Sequence, residues 1–162
     1  MGTITTGRWT HDQEGGVVVF LIGARVNRLS AVRSWWPVVS AMPRMLRELQ
    51  QEPALGLLSV TSTVHGRGSL MVQYWRDLDS LLDYAHAPEH AHRPAWREFN
   101  RAARAAGHAV GIWHETFVVP PAHHESIYVD MPEQGLPRAL GRRRVDHRLD
   151  ALRQRMPAPH AA

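Results

Sequence analysis

The amino-acid sequence predicts an α+β domain of the ferredoxin-like type, a four-stranded antiparallel sheet with its helices on one face. Three observations carry this. Apolar β-branched runs and segments of helical spacing follow one another in the order β-α-β-β-α-β. The two middle strands are joined by "GRG" (66–68), a tight hairpin connection. The 162 residues, 44% of them apolar, suffice for one domain with a real core.

Each element has its own signal. Residues 1–15 are polar and end in glycine, and they read as a loose lead-in to a domain over 16–137. "GVVVFLIGARV" (16–26) is continuously apolar and β-branched, the mark of a buried strand. Asn27 and Ser30 offer turn and cap chemistry before a helix over 31–53. Within it Val32, Trp35 or Trp36, Val39, Met42, Leu46 and Leu49 share a stripe, and Pro37 and Pro43 predict a kink or two segments. Residues 54–65 and 69–77 form the hairpin. Asp77 caps a helix over 78–86, and Pro94 opens another that Gly107 ends near residue 106. "HAVGIWHETFVV" (108–119) alternates as a fourth strand, and 120–137 reads as a loop. An Arg-rich tail follows over 138–162, with Val145, Leu149 and Leu152 at helical spacing. The sheet face away from the helices needs a cover. A second copy of the chain is the simplest one, so a homodimer through sheet faces is expected.

Composition narrows the function. There is no cysteine, which excludes disulfides and thiol chemistry, and no lysine, which excludes Schiff-base catalysis. The net charge of +4 is local. Residues 138–155 hold seven Arg and two Asp, a net of +5, so the main body is near neutral and no nucleic-acid role is expected. No apolar run is long enough to cross a bilayer, and the N-terminus lacks the pattern of a secretory leader. A cytoplasmic location with no membrane contact is the expectation.

Three stretches carry candidate chemistry. "YAHAPEHAHRPAWREFN" (84–100) holds His86, His90 and His92. In an extended segment His90 and His92 point the same way, as a His-x-His metal pair would. If the following helix reaches back to His92, then His92, Trp96 and Phe99 lie at i, i+4 and i+7, an imidazole beside a large apolar surface. The plainer reading is an exposed helix junction. In "GIWHETF" (111–117) His114 and Glu115 point to opposite faces. Whichever faces inward would serve as an acid or base. "HHESIYVDMP" (123–132) reads as a charged loop in which Tyr128 would reach a pocket mouth. Arg25 would meet an anion if it points inward.

The stretches "LMVQYWRDLDSLLDYAHAPEHAHRPAWREFNRAA", "VGIWHETFVV" and "ESIYVDMPEQGLPRA" resemble the DUF4188 family, labelled monooxygenase family proteins, over roughly residues 5–140. That resemblance implies the dimeric α+β barrel superfamily, with antibiotic-biosynthesis-type monooxygenases, haem-degrading oxygenases and aldoxime dehydratases. Haem-bearing relatives place their axial histidine on or just after a helix packed on the sheet. By that resemblance His92, with His90 second, would ligate the iron of haem b. Trp96, Phe99, Met71, Trp75 and Trp113 would line the pocket, Arg25 would meet a propionate, and His114 or Glu115 would be the distal acid or base. The reaction would be oxidative or dehydrative chemistry on a small organic substrate. Two alternatives keep the fold without haem: a cofactor-independent monooxygenase with His114 or His92 as base, and a non-catalytic dimeric carrier of a small molecule.

Overall fold

A computed structural model describes residues 3–12, 15–86 and 94–145. The chain folds into two antiparallel sheets. The larger contains β2 (Val17–Val26), β3 (Leu57–His65), β4 (Gly68–Trp75) and β5 (Val110–Val119), in the order β3-β4-β2-β5. All three pairings are antiparallel, which is the ferredoxin-like arrangement expected from the strand and helix order. β2 lies between β4 and β5, so both its edges are hydrogen-bonded, and both its faces are at least partly covered. That is why it is apolar at nearly every position.

One face of this sheet carries three helices: α1 (Val32–Gln50), α2 (Leu78–His86) and α3 (Pro94–Ala106). α1 runs unbroken through Pro37 and Pro43, where two segments or a kink were expected. Each proline removes one backbone donor. The stripe Val38, Ala41, Met42, Met45 and Leu49, buried at helical spacing, offsets that loss. α1 starts at Ala31 without a side-chain cap, so Ser30 does not cap it. Asn27 instead donates from Nδ2 to the His108 carbonyl at 3.3 Å, tying the β2 exit to the turn before β5. The α1 stripe packs with Phe99 and Ala106 of α3 on Ile22 and Met71 of the sheet.

The opposite face is half covered by the chain itself. α4 (Gly135–Leu140) lays Leu136 and Leu140 on Val17, Val19, Leu58, Tyr74 and Val119. Six residues are too few to hold a helix alone. Its two buried leucines, each contributing about 1.5–3 kcal/mol, keep it there. The second sheet lies in the order β6-β1-β7, from β1 (Ile4–His11), β6 (Tyr128–Pro132) and β7 (Arg142–Arg144). The expected lead-in therefore contains a strand, the expected loop contains a strand and a helix, and the first arginines of the tail form an edge strand. Arg142 and Arg144 lie over the Trp9 ring at 5.2 and 5.4 Å, a structural use for these charges. The helical spacing after Val145 lies outside the described residues.

Two buried histidines join the small sheet to the loop before β6 and to the entry of β2. His11 Nε2 is 3.1 Å from His124 Nδ1, His11 Nδ1 is 3.0 Å from Ser126 Oγ, and His124 Nε2 is 2.8 Å from the Gly15 carbonyl. The carbonyl only accepts, so His124 carries its proton on Nε2 and its Nδ1 accepts from His11. His11 Nδ1 then accepts from the Ser126 hydroxyl, which itself accepts from the His11 backbone N–H at 3.2 Å.

Burial holds the His11 pKa below its ordinary 6.5; repulsion from His124 once it is protonated, and from Arg143, adds to this, and Glu125 and Asp12 oppose it. The unfolded chain therefore binds a proton first as pH falls. The stability from this joint is full above about pH 6.5 and is lost as pH drops from there through the lower folded value. Urea unfolding at about pH 7.5 and about pH 5.5 will show a lower midpoint at the acid pH. His11→Leu will cost about 1–3 kcal/mol at the higher pH, by stranding Ser126 and His124, and will shrink the difference between the two pH values.

Candidate functional site

The register of β2 with its neighbours decides which side chains face the helices. Phe20 lies opposite Gln73 on β4 and Thr116 on β5, and Ile22 lies opposite Met71 and His114. These residues share the helix-facing side. Between them and the helices is an open-mouthed cavity of about 320 Å³. Its floor is Phe20, Ile22, Gln73, Trp75, His114 and Thr116. Its walls are Met45 of α1, Leu81, Leu82, Tyr84 and Ala85 of α2, and Phe99 and Asn100 of α3.

α2 is placed there by Asp77. The Ser80 N–H donates to Asp77 Oδ1 at 2.7 Å, satisfying a first-turn donor. Hydrogen bonds from Ser80 hold the exposed Asp77 carboxyl below the usual carboxylate range. Trp75 is fully buried beneath this helix, its ring 5.5 Å from that of Tyr84. Phe20 lies 5.5 Å from the His114 imidazole, so this histidine stands against an aromatic surface at the open side of the cavity.

The structure brings together His114, Trp75 and Phe99 of the residues singled out above, and it separates the others. Glu115 projects from the opposite, exposed sheet face, so it is not a partner of His114. Trp113 is on that face too, 42% exposed, and lies across Gly23, where a Cβ would collide with its indole. It therefore lines no part of this cavity. Met71 is buried in the neighbouring core below α1. Arg25 lines a separate hollow with Trp35, Val39 and Val64, so it meets no cofactor beside His114. Tyr128 belongs to the second sheet and approaches Gly135, beside Tyr74, and burial raises the pKa of both phenols. His90 and His92 lie outside the described residues, and of Trp96 only its place in α3 is described.

Sequence reasoning passed over Gln73, Phe20, Tyr84, Asn100 and Thr116. Gln73 had a signal: in "LMVQYW" it is the polar residue on the same parity as Met71 and Trp75, hence on the buried face. Asn100 had a weaker one, directly following Phe99 on an amphipathic helix.

Residues 17–136 match the Monooxygenase af470-like family. The chain belongs to that family. It is 31% identical over 134 residues to Monooxygenase af470 of Aspergillus fumigatus, an alignment that covers 75% of this chain and 46% of that protein. The chain thus spans about half the length of this curated relative. Among solved structures, SnoaB, a cofactor-independent oxygenase of Streptomyces nogalater, is 17% identical with a TM-score of 0.43, over 63% of this chain and 91% of that one. An antibiotic biosynthesis monooxygenase is 12% identical with a TM-score of 0.41, over 62% and 95%.

The described cavity gives no support to the haem implied by the resemblance, whose candidate ligands His90 and His92 lie outside the described residues. At about 320 Å³ it lies at the small end of ligand sites, and its described lining has no arginine to meet a propionate. Among the described residues no group of three or more His, Asp and Glu side chains could hold a metal ion.

Removing the α2 cap is a direct test of how this wall is held. Asp77→Ala will lower stability by about 1 kcal/mol in urea unfolding, with the largest local rise in amide exchange over 78–86.

Proposed function

We propose that this chain is a monooxygenase domain that works without a bound cofactor, with His114 as the general base. The carrying observation is the position of His114. Among the described residues it is the one imidazole or carboxylate in the lining of an otherwise mostly apolar cavity. A neutral imidazole there takes a proton from an acidic C–H of an electron-rich substrate. The apolar surfaces of Phe20, Ile22, Trp75 and Phe99 favour a flat organic molecule. The resulting carbanion passes one electron to dioxygen, and the radical pair joins to form a C–OO⁻ bond. The protonated His114 returns its proton to give the hydroperoxide. Loss of water from that carbon, with cleavage of the O–O bond and departure of the remaining C–H proton, leaves a C=O group. One oxygen atom stays in the product and the other leaves in water, so substrate and dioxygen balance with no further reductant.

Anthrone is a suitable probe, because its ring CH₂ is acidic and its anion is easily oxidised. The purified protein will consume dioxygen with anthrone and form the quinone, and His114→Gln will lower the rate by about 10²–10⁴-fold while leaving the unfolding midpoint near that of the parent. Anthrone binding without oxygen uptake would leave a carrier instead. Oxygen uptake unchanged in His114→Gln would remove His114 from the mechanism.

The same reading includes a homodimer through the sheet. α4 covers only one end of the outer face. On the same face of β5, Trp113, beside Gly23 at the far end, and Phe117, beside Val19, are 42% and 49% exposed, and Leu21, Leu70 and Val72 lie on that face too. Neighbouring aromatic and aliphatic side chains of this kind are what a self-complementary contact buries. Light scattering will give the mass of two chains for the parent, and Phe117→Arg will shift it toward that of one.

A further inference from the structure

Gln73 is 3% exposed and lies in the floor of the cavity that holds His114. Its neighbour two residues along, on the same face, is the fully buried Trp75. The Trp75 Nε1–H donates to Gln73 Oε1 at 2.9 Å. An indole nitrogen can only donate, so the amide oxygen must face the indole and the NH₂ group must face away. Among the described residues no acceptor is paired with that NH₂ group, and its nitrogen is not among the sealed polar atoms without a partner. Among the described residues, then, this buried amide is held by its oxygen and keeps both N–H bonds for whatever enters. In an apolar cavity such a donor is costly to leave unmatched and strong when it meets a charged oxygen.

Its place relative to His114 gives it a use. Gln73 and His114 sit on strands flanking β2, one pairing step apart along it. Strand spacing and rise put their Cα atoms about 12 Å apart on one face. A flat molecule lying on Phe20 and Ile22 then has the imidazole at one end and the amide at the other. We propose that Gln73 is a further catalytic residue: its NH₂ group donates to the substrate oxygen that gains negative charge when His114 removes a proton, and Trp75 is the positioning residue that sets the amide. This rests on the reading of His114 as the base. A donor aimed at the developing charge lowers the barrier to that charge more than it tightens binding of the neutral substrate.

The equilibrium test uses 4-nitrophenol, whose coloured anion carries charge at the oxygens of both ends and which needs no dioxygen. The parent protein will bind the phenolate in preference to the phenol, read as a lowered apparent pKa of the bound ligand by visible absorption. Gln73→Leu will weaken phenolate binding by about tenfold or more with little change for the neutral phenol. Trp75→Phe, which keeps the apolar bulk and frees the amide to turn, will give a smaller loss in the same direction. With anthrone, Gln73→Leu will lower kcat and leave KM within a few-fold. Gln73→Met, of similar length, serves where the leucine variant unfolds. The proposal is overturned if the parent does not favour the phenolate, or if folded Gln73→Leu and Gln73→Met both keep the parent's preference. A parent that favours phenolate through Gln73 yet takes up no dioxygen with anthrone would end the oxygenase reading and leave the donor assigned.

Discussion

The structure depends on the register of β2. Its ten residues are paired with β5 along their whole length and with β4 over most of it. Because side chains alternate, a slip of one residue would exchange every inward group for its outward neighbour. Phe20 and Ile22 would leave the cavity floor, and Leu21 would enter it. The register is held by apolar burial on both faces at once. Val18 and Ile22 pack under the helices, while Val17 and Val19 pack under α4. Gly23 adds a steric condition, since it is the point where Trp113 crosses the strand.

From that register follows a division of labour between the two faces. The helix side has a gap because α1 and α3 close over Met71 and Ile22 at one end, while α2 stands on Trp75 at the other. The cavity lies between these two clusters. Asp77 and Trp75 fix α2, so the size of the cavity depends on a helix cap and one indole. The outer side is arranged differently. It carries α4 over Val17 and Val19, and β5 presents the exposed side chains of Trp113 and Phe117 there.

Much of this was legible in the chain. The alternation in "GIWHETF" required His114 and Glu115 to face opposite ways, and they do. Which of the two faced the helices was not legible, because it depends on the pairing of β5 with β2 and not on β5 alone. Periodicity also found α3 at its observed bounds, since Pro94 and Gly107 punctuate it. The second sheet escaped notice for a physical reason. β1 is mostly half-exposed, contains Gly7 in the left-handed region, and is held by β6 residues more than a hundred positions away. No local pattern encodes such pairing. Arg25 was a candidate only if it pointed inward; three residues beyond Ile22 on β2, it has the opposite parity and lines a different hollow.

The two buried polar groupings show how structural and functional polarity differ in one small domain. His11, His124 and Ser126 satisfy one another and the backbone carbonyl of Gly15. Every proton in that chain has an acceptor, so it has nothing left to offer a ligand, and its chemistry is confined to stability. Gln73 is as deeply buried, yet among the described residues only its oxygen is engaged. Burial of a polar group with one half unmatched is unfavourable for folding. Trp75 reinforces that arrangement by locking the matched half. A core chosen for stability alone would put leucine or methionine at position 73, as it does at Met71 one step along the same face. The retained amide donor, two strands from the imidazole, is therefore the feature of the cavity that packing does not explain and that ligand chemistry does.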